Sequence, residues 1–321
     1  LVLSGAASEA RLKGPRISVG GDLTVTSATL RVFGGEVANP AADSGGAINV
    51  NGDLTLENAG WVRSYAAPYN GGVVAFACDN LAIDAASGIE GDEKGYAPVM
   101  NSGHSGPGGP TVIGGWTHGA GAGHGGIGGM SSHSRPGGAS YGARTLPVQA
   151  GSAGESGHPE GGYHGGAGGT AIRIDANGLI RIDGMVSANG AVGGGSAHPQ
   201  TTPGGGSGGS VLLIARAFEV GAAGIVRADG GMGIVYDATR GAGGGAGGRI
   251  ALWYGMDRAA RQPLLDNLDD PAVWKRIEET VAVPGFDGPA PTVAGGTGFE
   301  SGGEGTVAFF RLRGPTASLI L

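Results

Sequence analysis

Cysteine and long apolar runs are almost absent from this chain, and each absence excludes a class of protein. Its 321 residues include one cysteine, Cys78, so no disulfide can form within the chain. Cys78 lies in the apolar run VVAFAC, where we expect a small buried side chain, with a reactive thiol as the alternative. No stretch approaches the roughly 18–20 apolar residues that a membrane helix needs, so insertion into a bilayer is not predicted.

Charged residues are also scarce. They make up 15% of the chain, and the formal net charge is −7. A sparse and acidic surface argues against nucleic acid or an anionic membrane as a partner. The start at Leu1 lacks the basic leader of a signal peptide, from which we expect a processed product or a fragment of a longer polypeptide.

What the chain has in excess is glycine, with 72 residues, about three times the usual share. The Gly-X-Y phasing of collagen is absent. The 40% of hydrophobic residues, arranged in regularly spaced runs, favours a buried core over disorder.

Short runs of alternating apolar residues recur along the chain, and seven of them open a repeat unit: PRISVG, AINVN, VVAFAC, TAIRIDA, SVLLIAR, RIALWYG and GTVAFFR. In five units a second and a third run follow, as in GDLTVTSATLRVFGG from Gly21. Leu54 lies 31 residues after Leu23, and Leu81 lies 27 residues after Leu54. Alternation with period two indicates strands, and a repeat of this length indicates coils that bury their apolar faces by stacking.

The repeats therefore predict an all-β fold, a right-handed parallel β-helix with three short strands per coil, packed glycine-rich segments like polyglycine II helices and one small helical insert. We expect a single elongated domain over residues 1–321. Its parts are N-terminal coils at 12–100, a glycine-rich insert at 101–169, coils with glycine-rich loops at 170–255, a helical insert at 256–281 and a C-terminal coil with a terminal strand at 282–321.

The glycine-rich segments leave two alternatives open. Glycine can adopt the extended helix of three residues per turn, and several such helices can pack side by side, or the segments can be mobile loops. In the helical insert, Asp270 is a candidate N-cap before Pro271, and Val273, Ile277 and Val281 share a helical face. An earlier helix is predicted from Asp257 to Leu268, bent near Pro263. The insert either packs on the side of the coils or docks a partner.

All seven histidines fall between residues 104 and 198, in or beside the glycine-rich region: His104, His118, His124, His133, His158, His164 and His198. They can line the edges of glycine helices together with Trp116, Tyr141 and Tyr163, bind carbohydrate or a surface, or bind metal. The spacing lacks a helical i, i+4 pair and a cysteine partner, so the metal is left unknown. The candidate ligand-binding residues are Trp116, His118, His124, His158, Tyr163 and His164.

Catalytic motifs are weak, and no catalytic residue is predicted. The GxGxxG-like strings precede strands instead of opening a helix, and no strand-turn-helix surrounds Ser207 in GGSGG. Asp92, Glu93 and Asp229 lie near unit ends, where they can cap turns or bind calcium, although the EF-hand pattern is missing. No cofactor is predicted, with calcium left open.

The phrases GGTAIRIDANGLIRIDGMVSANG and GGGSGGSVLLIARAFEVGAAGIVRADGG resemble the glycine-rich parallel β-helix repeat regions of large secreted or surface proteins of bacteria, over roughly residues 45–312. The glycine inserts look similar in composition to the polyglycine helix layers of phage tail-fibre adhesins. The resemblance implies architecture and an extracellular or cell-surface location, but no functional residue.

Three functions follow as hypotheses. The first is a non-enzymatic structural protein of a surface fibre, filament or sheath, which polymerises head to tail through terminal strands containing Leu1, Val2, Leu3, Leu319, Ile320 and Leu321. The second is an adhesin that presents histidine and aromatic side chains to glycans. The third, a polysaccharide-degrading enzyme, lacks a concentrated acid and base cluster.

Overall fold

A computed structural model describes residues 1–98, 105–111, 116–158 and 162–314. Its regular elements are mostly short strands, with two short helices near the C-terminal end. In chain order the strands are β1 (Val2–Lys13), β2 (Arg16–Val19), β3 (Leu23–Phe33), β4 (Gly46–Val50), β5 (Leu54–Glu57), β6 (Trp61–Tyr65), β7 (Val74–Cys78), β8 (Leu81–Ile83), β9 (Gly88–Glu90), β10 (Ala171–Ala176), β11 (Leu179–Ile182), β12 (Met185–Ser187), β13 (Ser210–Ile214), β14 (Ala217–Val220), β15 (Ile225–Arg227), β16 (Val235–Asp237), β17 (Arg240–Gly241), β18 (Arg249–Tyr254), β19 (Ile277–Thr280) and β20 (Thr306–Leu312). The helices, which lie between β18 and β19, are α1 (Arg258–Leu265) and α2 (Pro271–Trp274).

The strands form two large sheets. The first runs of the repeats build an eight-stranded sheet in the order β19-β20-β18-β13-β10-β7-β4-β2, in which only the β19–β20 pair is antiparallel. The second and third runs build a ten-stranded parallel sheet in the order β14-β11-β8-β5-β3-β6-β9-β12-β15, with β1 on the other side of β3. A hairpin of β16 and β17 stands apart from both.

The predicted right-handed parallel β-helix with three short strands per coil is wrong. The second and third runs of the first repeat are one continuous strand, β3, which pairs with β5 through its first half and with β6 through its second. The chain turns within β3 at Ser27, whose φ of 53° shifts the alternation of buried side chains. Both runs therefore belong to one large parallel sheet, and the other sheet is mixed because its edge strand β19 pairs antiparallel with β20.

The main core lies between the inner faces of the two sheets. Its buried side chains are mostly leucine, isoleucine and valine at alternate strand positions, such as Leu54, Ile83, Ile172 and Ile250. Period-two alternation places one set of side chains in this core and leaves the other set on the outer face. Cys78 is fully buried here, and burial raises the pKa of its thiol to about 12.

The outer face of the eight-stranded sheet is covered over only part of its width. On β13, β18 and β20 this face is apolar and forms a second core with the helices and residues 146–148; its fully buried members include Leu212, Trp253 and Phe310. On β2, β4, β7 and β10 the same face carries small and polar side chains and stays open. The covered part of the outer face therefore ends beside α1.

The helical insert is shorter than predicted. Asp257 and Asp270 cap the two helices, accepting hydrogen bonds from the N–H groups of Ala260 and Ala272. The predicted helical face through Ile277 and Val281 is wrong, because Ile277 begins β19, which pairs with β20, and Val281 is exposed. Pairing at a sheet edge prevails over a helical pattern of only a few residues.

Polar side chains tie successive repeats together at the corners. The Asp92 carboxylate accepts hydrogen bonds from the main chain and side chain of Asn189, whose own side-chain oxygen accepts from Asp229 N–H. Asp229 in turn accepts from Ala294 N–H and the Thr292 hydroxyl. These side chains cap main-chain groups that the corners leave unpaired.

The glycine-rich segments are buried and joined by main-chain hydrogen bonds. In residues 204–209, successive N–H groups donate to carbonyl groups of three different neighbouring segments, and the same segment recurs at every third residue. The donor and acceptor pairs are Gly204 to Glu155 and Ser207 to Ser152 for the first segment, Gly205 to Gly243 and Gly208 to Ala246 for the second, and Gly206 to Ala191 and Gly209 to Ala188 for the third. N–H groups that face the same neighbour at every third residue indicate an extended helix with three residues per turn, a conformation that has no internal hydrogen bonds. An added Cβ at Gly206 would lie 2.0 Å from Ala167 O, so the packing leaves no room for side chains. We call these packed segments the glycine layer.

Candidate functional site

An aromatic cluster of Trp116, His158, Tyr163 and His198 lies on the glycine layer. The Trp116 ring centroid is 4.2 Å from that of His158, 5.2 Å from that of His198 and 6.3 Å from that of Tyr163. Tyr163 and His198 meet edge to face at 6.1 Å. Trp116 is 51% exposed, and the other three rings are half-buried. We call this group the aromatic cluster.

Main-chain contacts of the neighbouring Thr117 position the cluster. Its N–H donates to Gly157 O at 3.1 Å, beside His158, and its carbonyl accepts from the Thr201 hydroxyl at 2.9 Å, three residues beyond His198. Gly157 N–H donates to Tyr163 O at 3.0 Å, which brings the third segment into place. These hydrogen bonds join the segments that carry Trp116, His158 and Tyr163 and bring the residues near His198 beside them.

The arrangement suits a ligand with both apolar and hydroxyl surfaces. An exposed indole offers an apolar face, and the phenol and imidazole rings offer hydrogen-bonding edges beside it. Aromatic side chains lose little conformational entropy when a ligand binds, because they rotate about only two χ angles. Chemically, the aromatic cluster can stack on a sugar ring and bind its hydroxyl groups.

The structure separates the predicted ligand-binding residues into two groups. Trp116, His158 and Tyr163 come together, and His164 follows Tyr163 with an exposed side chain. His118 and His124 are fully buried, and their ring contacts are with His133 and Tyr141 instead of with the aromatic cluster. A repeating glycine texture gives no signal that tells a buried histidine from an exposed one.

The buried histidines serve the packing of the glycine layer. His118 Nδ1 is 2.8 Å from the Thr202 hydroxyl, and its ring lies 4.4 Å from that of His133. His124 Nδ1 donates to Gly208 O at 2.7 Å, and its ring packs on Tyr141. Burial lowers the pKa of each of these histidines to about 4, so both are neutral at pH 7.

Other predicted residues have different positions or fall outside the described part. Leu1, which precedes β1, and Val2 on β1 are exposed, while Leu3 packs partly against the core. Leu319, Ile320, Leu321 and His104 lie outside the described residues. Among the described residues, no group of three or more His, Cys, Asp or Glu side chains is arranged to hold a metal ion, and no helix is long and apolar enough to cross a bilayer.

Sequence reasoning missed a second site, a polar groove of about 770 Å³ on the uncovered outer face of the eight-stranded sheet. Its lining includes Arg16, Asn49, Arg173, Asp175 and Arg258. These residues come from β2, β4, β10 and α1, which are far apart in the chain. The available signal was the polar residues at alternate strand positions, but only the strand register shows that they are neighbours.

The chain was also compared with known proteins. No protein-family model, curated protein or solved structure matches it significantly.

Proposed function

We propose that this protein is a glycan-binding module, an adhesin that uses the aromatic cluster to hold carbohydrate at an extracellular or cell-surface location. The observation that carries the proposal is the exposed Trp116 ring within 4.2 Å of His158 and 5.2 Å of His198. Binding hot spots are rich in large aromatic side chains, and the exposed Trp116 among half-buried polar rings has this character. The location is supported only by the resemblance of the repeats.

A glycan-array screen, followed by calorimetry on the strongest glycan, tests this proposal. Trp116→Ala removes the largest exposed ring, and we expect roughly a tenfold or greater loss of affinity, the usual effect of truncating a hot-spot aromatic residue. Tyr69→Ala is the matched control, because Tyr69 is 69% exposed and outside the cluster. Equal binding by the wild type and Trp116→Ala, or no glycan bound by the wild type, would reject the proposal.

Self-assembly into a filament is a second candidate, and the geometry of β1 favours it. This strand of 12 residues pairs with β3 on one side, and among the described residues no strand pairs with its other edge. An unpaired edge of this length is a template for strand addition. The assembly surface proposed is therefore the unpaired edge of β1 in the ten-stranded sheet.

Sedimentation velocity and negative-stain imaging test self-assembly. Replacing the exposed Leu1 and Val2 by lysine places charge beside the edge and should abolish any filaments. Val281→Lys is the control, because Val281 is 99% exposed and outside β1. A wild type that sediments as a monomer at high concentration would exclude this candidate.

A further inference from the structure

We propose that the groove on the eight-stranded sheet binds an extended glycan bearing carboxylate groups, with Arg173 and Arg16 as its anion contacts. The groove lies on the outer face of the strands, and no residue of the aromatic cluster lines it. This proposal is therefore independent of the proposed function.

The floor of the groove follows from the strand register. One row of outward positions runs from Arg16 on β2 through Ala47 and Ala75 to Arg173 on β10. Three strand spacings separate the two arginines, which places their Cα atoms about 14 Å apart. The small alanines between them leave a shallow channel with a cation at each end.

The next outward row gives the channel its polar side. Asn49 and Ala77 are paired neighbours on β4 and β7, and Asp175 follows on β10. Gln262 of α1 also lines the groove. The amides can donate to and accept from hydroxyl groups between the two arginines.

Arg173 is a cation without a direct counter-ion. Within the described part of the chain, no carboxylate oxygen lies within 4.0 Å of its guanidinium, and its one side-chain hydrogen bond is to the Ser44 hydroxyl at 3.4 Å. Burial lowers the pKa of Arg173, while Asp175 opposes this shift. A partly desolvated cation gains more from a ligand anion than a fully hydrated one does.

The neighbouring carboxylate is already engaged by α1. Asp175 Oδ1 accepts from Arg258 Nε at 2.8 Å and from Arg261 Nη2 at 2.5 Å, and Arg261 is fully buried. One carboxylate thus faces two guanidinium groups, and within the described part of the chain the exposed Asp79 is the other acidic residue that lines the groove. The groove is locally positive in a chain whose formal net charge is −7.

The spacing and chemistry of the groove select among anions. The two arginines are separated by amides and small side chains. This spacing matches a ligand whose carboxylate groups are separated by sugar hydroxyl groups. A nucleic acid strand carries denser charge and uses exposed aromatic rings to stack its bases, whereas Phe76, the one aromatic residue among the described residues that line the groove, is buried. A carboxylated glycan is therefore the ligand class that fits.

Calorimetry with a short oligogalacturonate tests the proposal, with a cello-oligosaccharide of equal length as the neutral probe and a single-stranded oligonucleotide as the anionic alternative. Arg173→Gln keeps a hydrogen-bond donor, on a shorter side chain, and removes the charge. Arg181→Gln is the charge-matched control, since Arg181 lies on β11 of the other sheet and is exposed. Thermal unfolding of each variant verifies that the fold is kept.

We expect oligogalacturonate to bind with an affinity that falls as NaCl is added, and Arg173→Gln to weaken it roughly tenfold or more, as loss of a charged hydrogen bond does. Arg181→Gln and Trp116→Ala should leave this binding unchanged. No binding of oligogalacturonate, equal binding by Arg173→Gln, or tighter binding of either alternative probe would overturn the proposal.

Discussion

Replacing Gly244 by alanine should destabilise the protein strongly, because its backbone touches neighbouring segments of the glycine layer. A Cβ at this position would lie 1.9 Å from Gly296 O and 2.6 Å from Gly296 C. Ordinary contacts of a Cβ begin at about 3.4 Å, so the two segments would have to separate by roughly 1.5 Å. The layer holds several main-chain hydrogen bonds that such a movement would break.

The structure gives the size of the effect. Gly244 N–H donates to Glu300 O at 2.9 Å, Gly129 N–H donates to Gly244 O at 2.8 Å, and Gly296 N–H donates to Gly245 O at 2.8 Å. Losing three such bonds costs about 3 kcal/mol, and overpacking adds about 1–3 kcal/mol. Alanine also lowers the conformational entropy of the unfolded chain, which offsets about 0.4–1 kcal/mol of the loss in stability. We expect a net loss of about 3–5 kcal/mol.

Urea unfolding measures this difference, and Gly21→Ala is the matched control. No atom lies within 4 Å of a Cβ added at Gly21, so this substitution should change the free energy of unfolding by less than about 1 kcal/mol. Equal urea midpoints and equal slopes for Gly244→Ala and Gly21→Ala would contradict a steric effect of the added Cβ.

Three further predictions concern buried groups. The pKa of His124 is lowered to about 4, from about 6.5 in the unfolded chain. Its neutral form therefore stabilises the folded state fully above pH 6.5, and the free energy of unfolding should fall by about 3 kcal/mol as the pH drops from 6.5 to 4. Urea unfolding at both pH values checks this, and His124→Gln should show a smaller difference between them. Cys78, with its thiol pKa raised to about 12, should resist maleimide in the native protein and react after denaturation; rapid native labelling would contradict this. Glu155 is fully buried and accepts from Arg135 Nε at 2.8 Å, so Glu155→Ala should cost about 3–5 kcal/mol in urea unfolding, and the double variant with Arg135→Ala less than the sum of the two single variants.

Parts of the fold were predictable from local pattern. The alternating runs beginning near Pro15, Ala47 and Ser210 are strands β2, β4 and β13, because side-chain alternation is a property of the strand itself. The N-cap Asp270 and a helix beginning near Asp257 were similarly readable, although the helical face predicted through Ile277 did not form. Local signals gave the positions of elements better than their partners.

The candidate sites depended more on distant contacts. Trp116, His158 and Tyr163 were chosen for their residue types, and the structure adds His198, which approaches only because residues 201 and 202 pair with 117 and 118. The groove was missed because an arginine at position 173 has no special meaning until β10 lies in register with β7 and β4.

The sequence by itself determined which residues alternate between core and surface, where glycine excludes side chains, and that one cysteine forms no internal disulfide. Only the tertiary structure decided that the turn at Ser27 leaves β3 continuous, so that two runs of each repeat share one sheet. It also decided which histidines are buried and which ring is exposed. The physical reason is that alternation and composition are local properties, whereas sheet number, burial and charge pairing depend on contacts between residues far apart in the chain.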